Sequence, residues 1–306
     1  MNNNFDAILT AAQNENAVSN QKPDQKPYSK DAYREKKQNE RDSCYRLADD
    51  TAKRATASSE VYASYLNVQA RYNRYSVVNA LLLTAQCPNA TRLATFEQWQ
   101  KNNVQIKKGS KAIMLLEPGK EYQMPDGRTG THYNVKKVFD ISQTDAQPHQ
   151  TEISRDQKLL MKALIHNAPC VFAFDDNLPV GTDALYDPKT KTVSVRHGLE
   201  SEKLFRALAT ELALAHMDHG EGFNRSDSMF RAQSIAYMVC ARNRITPNAV
   251  SVPAELSNLD AKAFKQELKQ IRDVANTMHN TMDQVLGKQR EQPSQRTANP
   301  RDRDVR

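Results

Sequence analysis

The chain has 306 residues, a formal net charge of +7, 39% hydrophobic residues and a mean hydropathy of −0.76. That length suits two domains plus tails, and no apolar run approaches the ~20 residues a membrane helix needs. Met1–Asn20 lacks a basic start followed by an apolar stretch, so no signal peptide is expected; Cys44, Cys87, Cys170 and Cys240 form no C-x-x-C pair, which argues against a disulfide framework or structural zinc knot and for free thiols in the cytoplasm.

Residues 1–42 are rich in Asn, Gln, Lys and Asp, with two prolines in Gln21–Pro27. They hold too little apolar surface to order themselves, so a disordered tail is expected there. Ser43–Tyr72 has helical periodicity with two apolar faces, Leu47/Ala48/Ala52 and Val61/Tyr62/Tyr65/Leu66/Val68. Another helix is predicted over Ser76–Gln86, with Ser76 as N-cap and Pro88 as stop, and Thr95 caps a short one through Trp99. After Gly109 the period turns strand-like. Ala112–Leu116 and Tyr133–Ile141 flank a turn at Pro125-Asp126-Gly127. Residues 43–144 thus read as helices followed by a small antiparallel sheet.

Residues 145–154 read as a linker. Residues 155–286 read as a second, mostly helical domain: a helix over Arg155–Asn167, a short buried strand over Cys170–Phe174, a hairpin of Ala184–Tyr186 and Thr192–Arg196, and helices over Ser201–His219, Ser226–Arg244 and Asp260–Leu286. Residues 287–306 read as a second disordered tail. The expected fold class is α+β, in two domains.

Charge is segregated. Val68–Lys111 holds seven basic residues (Arg71, Arg74, Arg92, Lys101, Lys107, Lys108, Lys111) and one acid, Glu97, whereas Arg155–Leu286 balances sixteen against sixteen. Such an asymmetry suits a phosphate-binding surface in the first domain. Nothing resembles a Gly-rich phosphate loop, a G-x-S-x-G elbow or a cysteine–histidine nucleophile pair.

Tyr75-Ser76-x-x-Asn79, Gln86-Cys87-Pro88, Ala94-Thr95-Phe96-x-x-Trp99, Val104-x-Ile106-Lys107-Lys108-Gly109-x-Lys111 and Phe139-Asp140-Ile141-Ser142-Gln143-Thr144 follow one another in order. Together they resemble the N-terminal domain of ArdC-type antirestriction proteins, over about a third of the chain. The resemblance implies single-stranded DNA as partner, in the setting of a mobile element such as a plasmid. Tyr72, Tyr75, Trp99, Tyr122 and Tyr133 are then candidate base-stacking platforms. Arg71, Arg74, Lys101, Lys107, Lys108 and Lys111 are the candidate phosphate contacts. Two readings stand for Trp99, a platform or a half-buried core residue; Ser76 and Asn79 also read as caps and pins.

The second domain resembles the zinc-metallopeptidase-like half of the same family, whose H-E-x-x-H helix would align with Thr210-Glu211-Leu212-Ala213-Leu214. The resemblance puts Thr210 and Leu214 where histidines bind metal, and Gln233, in Ala232-Gln233-Ser234, where an acidic ligand is usual. Only Glu211 is retained. Leucine has no donor atom, so the expectation is a non-enzyme without cofactor. One alternative is a peptidase with a shifted site at His216 and His219. Another is a protein that blocks a host defence enzyme, its basic surface mimicking or blocking a nucleic-acid contact; in the favoured reading the second domain is a scaffold or contacts a host or element-encoded protein.

Overall fold

The computed structural model describes residues 30–146 and 156–287. In chain order these form α1 (Lys30–Ala57), α2 (Ser59–Arg71), α3 (Val77–Gln86), β1 (Leu93–Ala94), α4 (Phe96–Lys101), β2 (Ile113–Gln123), β3 (Thr129–Asp140), α5 (Gln157–Ile165), β4 (Val171–Phe174), β5 (Ala184–Asp187), β6 (Thr192–Val195), α6 (Ser201–Met217), α7 (Arg225–Arg242) and α8 (Ala261–Leu286). The fold is α+β with two small sheets, of strand orders β1-β3-β2 and β4-β6-β5. The first is antiparallel, and in the second β4 runs parallel to β6.

Several helix boundaries follow from side-chain caps. Ser58, Ser76 and Asp260 accept bonds from Val61, Asn79 and Ala263 N–H, and Thr95 forms a reciprocal capping box with Gln98. The β2–β3 turn lies at Pro125-Asp126-Gly127, where Gly127 takes a φ of +81° that a side chain would strain. Both strands run further than the alternation suggests, because the outer half of the ribbon stands in solvent with no core to enforce a pattern.

The tail was expected to reach residue 42; instead α1 begins at Lys30. Its first turns are polar and gain order from the hairpin they lie against. Arg41 donates to the Tyr133 carbonyl (3.3 Å), and Lys137 pairs with Glu40 (2.9 Å). Residues 1–29, 147–155 and 288–306, which hold most of the expected tails and linker, lie outside the described residues. Cys170–Phe174 was expected to be buried, yet all four β4 residues are exposed, because α6 packs on β5, at the opposite edge of the sheet.

The two lobes share one continuous apolar core. Tyr62 of α2 lies between the rings of Phe230 (5.3 Å) and Phe264 (6.4 Å), and its hydroxyl donates to Ser234 Oγ (2.8 Å). Asn67 Nδ2 donates to Tyr237 Oη (2.9 Å) and Asn276 Nδ2 to the Asn73 carbonyl (3.0 Å). Burying a Tyr or Phe side chain contributes about 1.5–3 kcal/mol, so α2 binds the lobes strongly.

Helix α3 closes the free edge of β2 with two amides. Asn79 Nδ2 donates to the Leu116 carbonyl (2.7 Å) while Oδ1 accepts from Leu116 N–H (2.8 Å). Two turns on, Gln86 Nε2 donates to the Met114 carbonyl and Oε1 accepts from Met114 N–H, both at 2.9 Å. The side chains imitate a neighbouring strand, so Asn79 pins a strand and not its own helix. Asn79→Leu should cost about 2–3 kcal/mol, since it strands a donor and an acceptor of Leu116; a urea midpoint equal to wild type would show the pairing to be idle.

Candidate functional site

The basic residues of the first lobe gather around the turn Asp140–Thr144, and the buried Asp140 carboxylate organises it. Asp140 Oδ1 accepts from Thr91 N–H (2.8 Å) and Arg92 N–H (2.9 Å). Oδ2 accepts from Ser142 N–H (3.0 Å) and from Ser142 Oγ (2.6 Å). Gln143 Oε1 accepts from Asp140 N–H (2.9 Å) and its Nε2 donates to the Lys111 carbonyl (2.8 Å). Ile141 N–H donates to the Arg92 carbonyl and Lys107 N–H to the Gln143 carbonyl. The Phe-Asp-x-Ser-Gln-Thr run is therefore a clamp that brings Arg92 to one side of the turn and Lys107 and Lys111 to the other.

The exposed groups on this rim are Arg92, Lys101, Lys107, Lys108 and Lys111. Lys107 Nζ reaches the Ser142 carbonyl (3.0 Å). Gly109, at φ +86°, makes the turn that presents Lys108, as its place in the motif suggested. Arg74 is exposed too, beside α3.

Three expected contacts are corrected. Trp99 is 1% exposed, with Nε1 donating to the Phe139 carbonyl (3.0 Å); it is the core residue that seats α4 on β3, and it offers no face to a base. Arg71 is half-buried and donates to the Pro88 carbonyl, so its guanidinium holds the loop after α3. Burial beside that loop lowers its affinity for the proton, only partly offset by Tyr72 and Asp140. Tyr72 is buried as well, and half-buried Tyr75 stacks on it (5.1 Å). Tyr122 and Tyr133 stay exposed on the ribbon. Tyr122 packs over Gly130, where an added Cβ would come within 2.5 Å of its ring. The aromatic missed in the sequence is Phe96, 47% exposed, four residues after Arg92. The available signal was that one face of so short a helix buries one aromatic, and Trp99 takes that place.

In the second lobe, Thr210, Glu211 and Leu214 lie on α6 and Gln233 on α7. They do not share one environment. Leu214 is fully buried, Thr210 is half-buried with its hydroxyl donating to the Arg206 carbonyl (3.2 Å), and Gln233 is exposed. Glu211, 5% exposed, is held by Arg225, the first residue of α7, through two bonds of 2.7 and 2.6 Å. Its Oε2 also accepts from Tyr186 N–H on the outer edge of β5 (2.7 Å). Beside this pair, Tyr186 Oη donates to Asp218 Oδ2 (2.8 Å), which also meets Lys191 Nζ (2.6 Å). Burial would raise the Asp218 carboxyl, but Lys191, Gly220 N–H and the Tyr186 hydroxyl outweigh it and hold it below the usual range.

These residues do not fit a divalent cation. Leucine supplies no donor, and a guanidinium already occupies both Glu211 oxygens. The shifted site fails on geometry too: α6 ends at Met217, so exposed His219 leaves the helix that carries half-buried His216. Burial lowers the proton affinity of His216. No group of three His, Cys, Asp or Glu suited to a metal occurs among the described residues. Burial also pushes the thiols of Cys170 and Cys240 up to about 11 and about 12, so neither is a ready nucleophile.

Residues 51–162 match the family described as the N-terminal domain of anti-restriction factor ArdC. The first lobe belongs to that family. The matched span contains the Asp140 clamp, the basic rim and the α3 amides of this ArdC-like lobe. Among solved structures, the Mn(II)-bound antirestriction ArdC protein from plasmid R388 is 15% identical, covers 80% of this chain and 99% of its own, and gives a TM-score of 0.51. The metal-free form is 17% identical, with coverage of 78% and 96% and a TM-score of 0.49. At these identities the likeness is one of fold. No curated protein matches. No described helix of the ArdC-like chain is long and apolar enough to cross a membrane.

Proposed function

We propose that this ArdC-like chain binds single-stranded DNA through the rim around Asp140–Thr144, in an antirestriction role, and that its second lobe is a scaffold without hydrolytic chemistry. The observation that carries the reading is the clamp, which fixes Arg92, Lys107 and Lys111 around one turn, beside a stretch, Val68–Lys111, whose one acid is Glu97. Cations held this way neutralise successive phosphates, and unpaired bases offer faces to the exposed rings of Phe96, Tyr122 and Tyr133. Duplex bases are already stacked, so single strands are preferred.

The full chain should bind a single-stranded oligonucleotide more tightly than a duplex of equal length in an anisotropy titration. Equal affinity, or none at low salt, would overturn the reading. Changing Lys107, Lys108 and Lys111 together to Ala should flatten the plot of log affinity against log salt by about 2, at roughly 0.7 per single-strand phosphate contact. An unchanged slope would mean that these lysines face away from the strand.

A further inference from the structure

An exposed apolar strand edge lies in the second lobe. Strand β4 reads Val171-Phe172-Ala173-Phe174, with Phe174 68% exposed and Val171 61% exposed. It pairs with β6 on one side and with no described strand on the other. Val171 N–H donates to the Lys191 carbonyl (2.9 Å) and Asp175 N–H to the Val195 carbonyl (3.0 Å). Backbone groups alternate in direction along a strand, so the odd positions are spent on β6. The N–H and C=O groups of Phe172 and Phe174 therefore face outward. By register these two side chains stand on the same side of the sheet as Val193 and Val195, which are buried. A flat, apolar, unpaired edge of this kind invites another strand.

We propose that the occupant is β4 of a second copy of this chain, paired antiparallel across a two-fold axis. Symmetry restricts the pairing. A two-fold normal to the sheet keeps each face on its own side, so opposed residues must be of equal parity. With Ala173 on the axis, Phe172 lies opposite Phe174 of the mate, and the outward N–H and C=O groups of both are satisfied in two hydrogen-bonded pairs. Each Phe gains an aromatic cross-strand neighbour. The charges agree with this register. Asp175 falls opposite Val171 and Asp176 opposite Cys170, so no acid meets an acid across the axis. With Phe172 on the axis it would face its own copy, but Phe174 would face Cys170, leaving one aromatic pair instead of two. The contact is isologous, and its short strands place it at the small end of specific interfaces, so dimer should dissociate on dilution.

Sedimentation velocity of the full chain over a concentration series tests this. A monomer–dimer equilibrium is expected, and Phe172→Lys/Phe174→Lys, which sets like charges opposite one another, should abolish it while the far-UV circular dichroism stays that of the wild-type chain. Ala173→Cys reads the register directly. Residues on the axis form a non-hydrogen-bonded pair with Cα atoms about 4.5 Å apart, within the roughly 4.4–6.8 Å that a disulfide spans. Mild oxidation should cross-link Ala173→Cys and leave Val171→Cys no more cross-linked than wild type. A wild-type chain that stays monomeric at every concentration, a double variant that still dimerises, or cross-linking as efficient through position 171 would each overturn the proposal. The first of these would leave the edge to a strand from a different protein.

Discussion

Asp140→Ala should lower the free energy of unfolding by about 3–5 kcal/mol, the loss expected when several buried donors lose a charged acceptor. Asp140 is almost fully buried and accepts four hydrogen bonds, three from backbone N–H groups of Thr91, Arg92 and Ser142. Among the described residues no other side chain is in hydrogen-bond contact with those three N–H groups, and they sit where the chain must reverse beside β1. Asp140→Asn keeps the size and one acceptor oxygen, so it should cost about 1–2 kcal/mol. Urea denaturation measures both. The Asn variant should remain folded yet bind single-stranded DNA more weakly, because Arg92 and Lys107 lose their fixed separation. If Asp140→Ala costs under about 1 kcal/mol, the clamp is decorative, since loss of even one buried acceptor normally costs that much.

The second large effect is expected at Glu211. Arg225→Met removes the bidentate partner of a carboxylate that is 5% exposed and leaves it with one backbone donor, Tyr186 N–H. Breaking a buried pair from one side costs about 3–5 kcal/mol; the partly open Arg225 side chain admits water and puts the expectation near the lower end. The double variant Glu211→Gln/Arg225→Met should regain most of that loss, because the uncompensated charge is gone while an acceptor for Tyr186 N–H remains. A single variant as stable as wild type, or a double variant no better than the single, would contradict a desolvated ion pair.

Much of the fold was legible because helices announce themselves by period and by caps. Ser76, Thr95 and Asp260 lie at the starts of α3, α4 and α8, and the Pro-Asp-Gly turn stands where expected. The misreadings share one cause: local pattern carries no information on which neighbour arrives. The first turns of α1 are polar enough to read as a tail and are ordered by Tyr133 and Lys137, more than ninety residues away. A run such as Val-Phe-Ala-Phe reads as interior strand, yet it forms the sheet edge opposite the one on which α6 packs, and it stays exposed. Trp99 and Phe96 share a six-residue helix, and composition alone does not say which ring turns inward. For Glu211, burial demanded a partner, and Arg225 is fourteen residues on, across a loop that no helical period spans. The rim was partly visible through charge, but Arg92 joins it only through the Asp140 clamp.

The hold of Glu211 on Tyr186 N–H also sets how many chains the second sheet can recruit. Open-ended stacking needs two free edges on each molecule, one to give and one to take. In the sheet of the second lobe, β5 is met by Glu211 at Tyr186 N–H, which leaves β4 as the unsealed edge of that sheet. Growth through this sheet is then self-limiting: once β4 is used, neither partner has a second edge of it to offer, and the series stops at two instead of running on into a fibre.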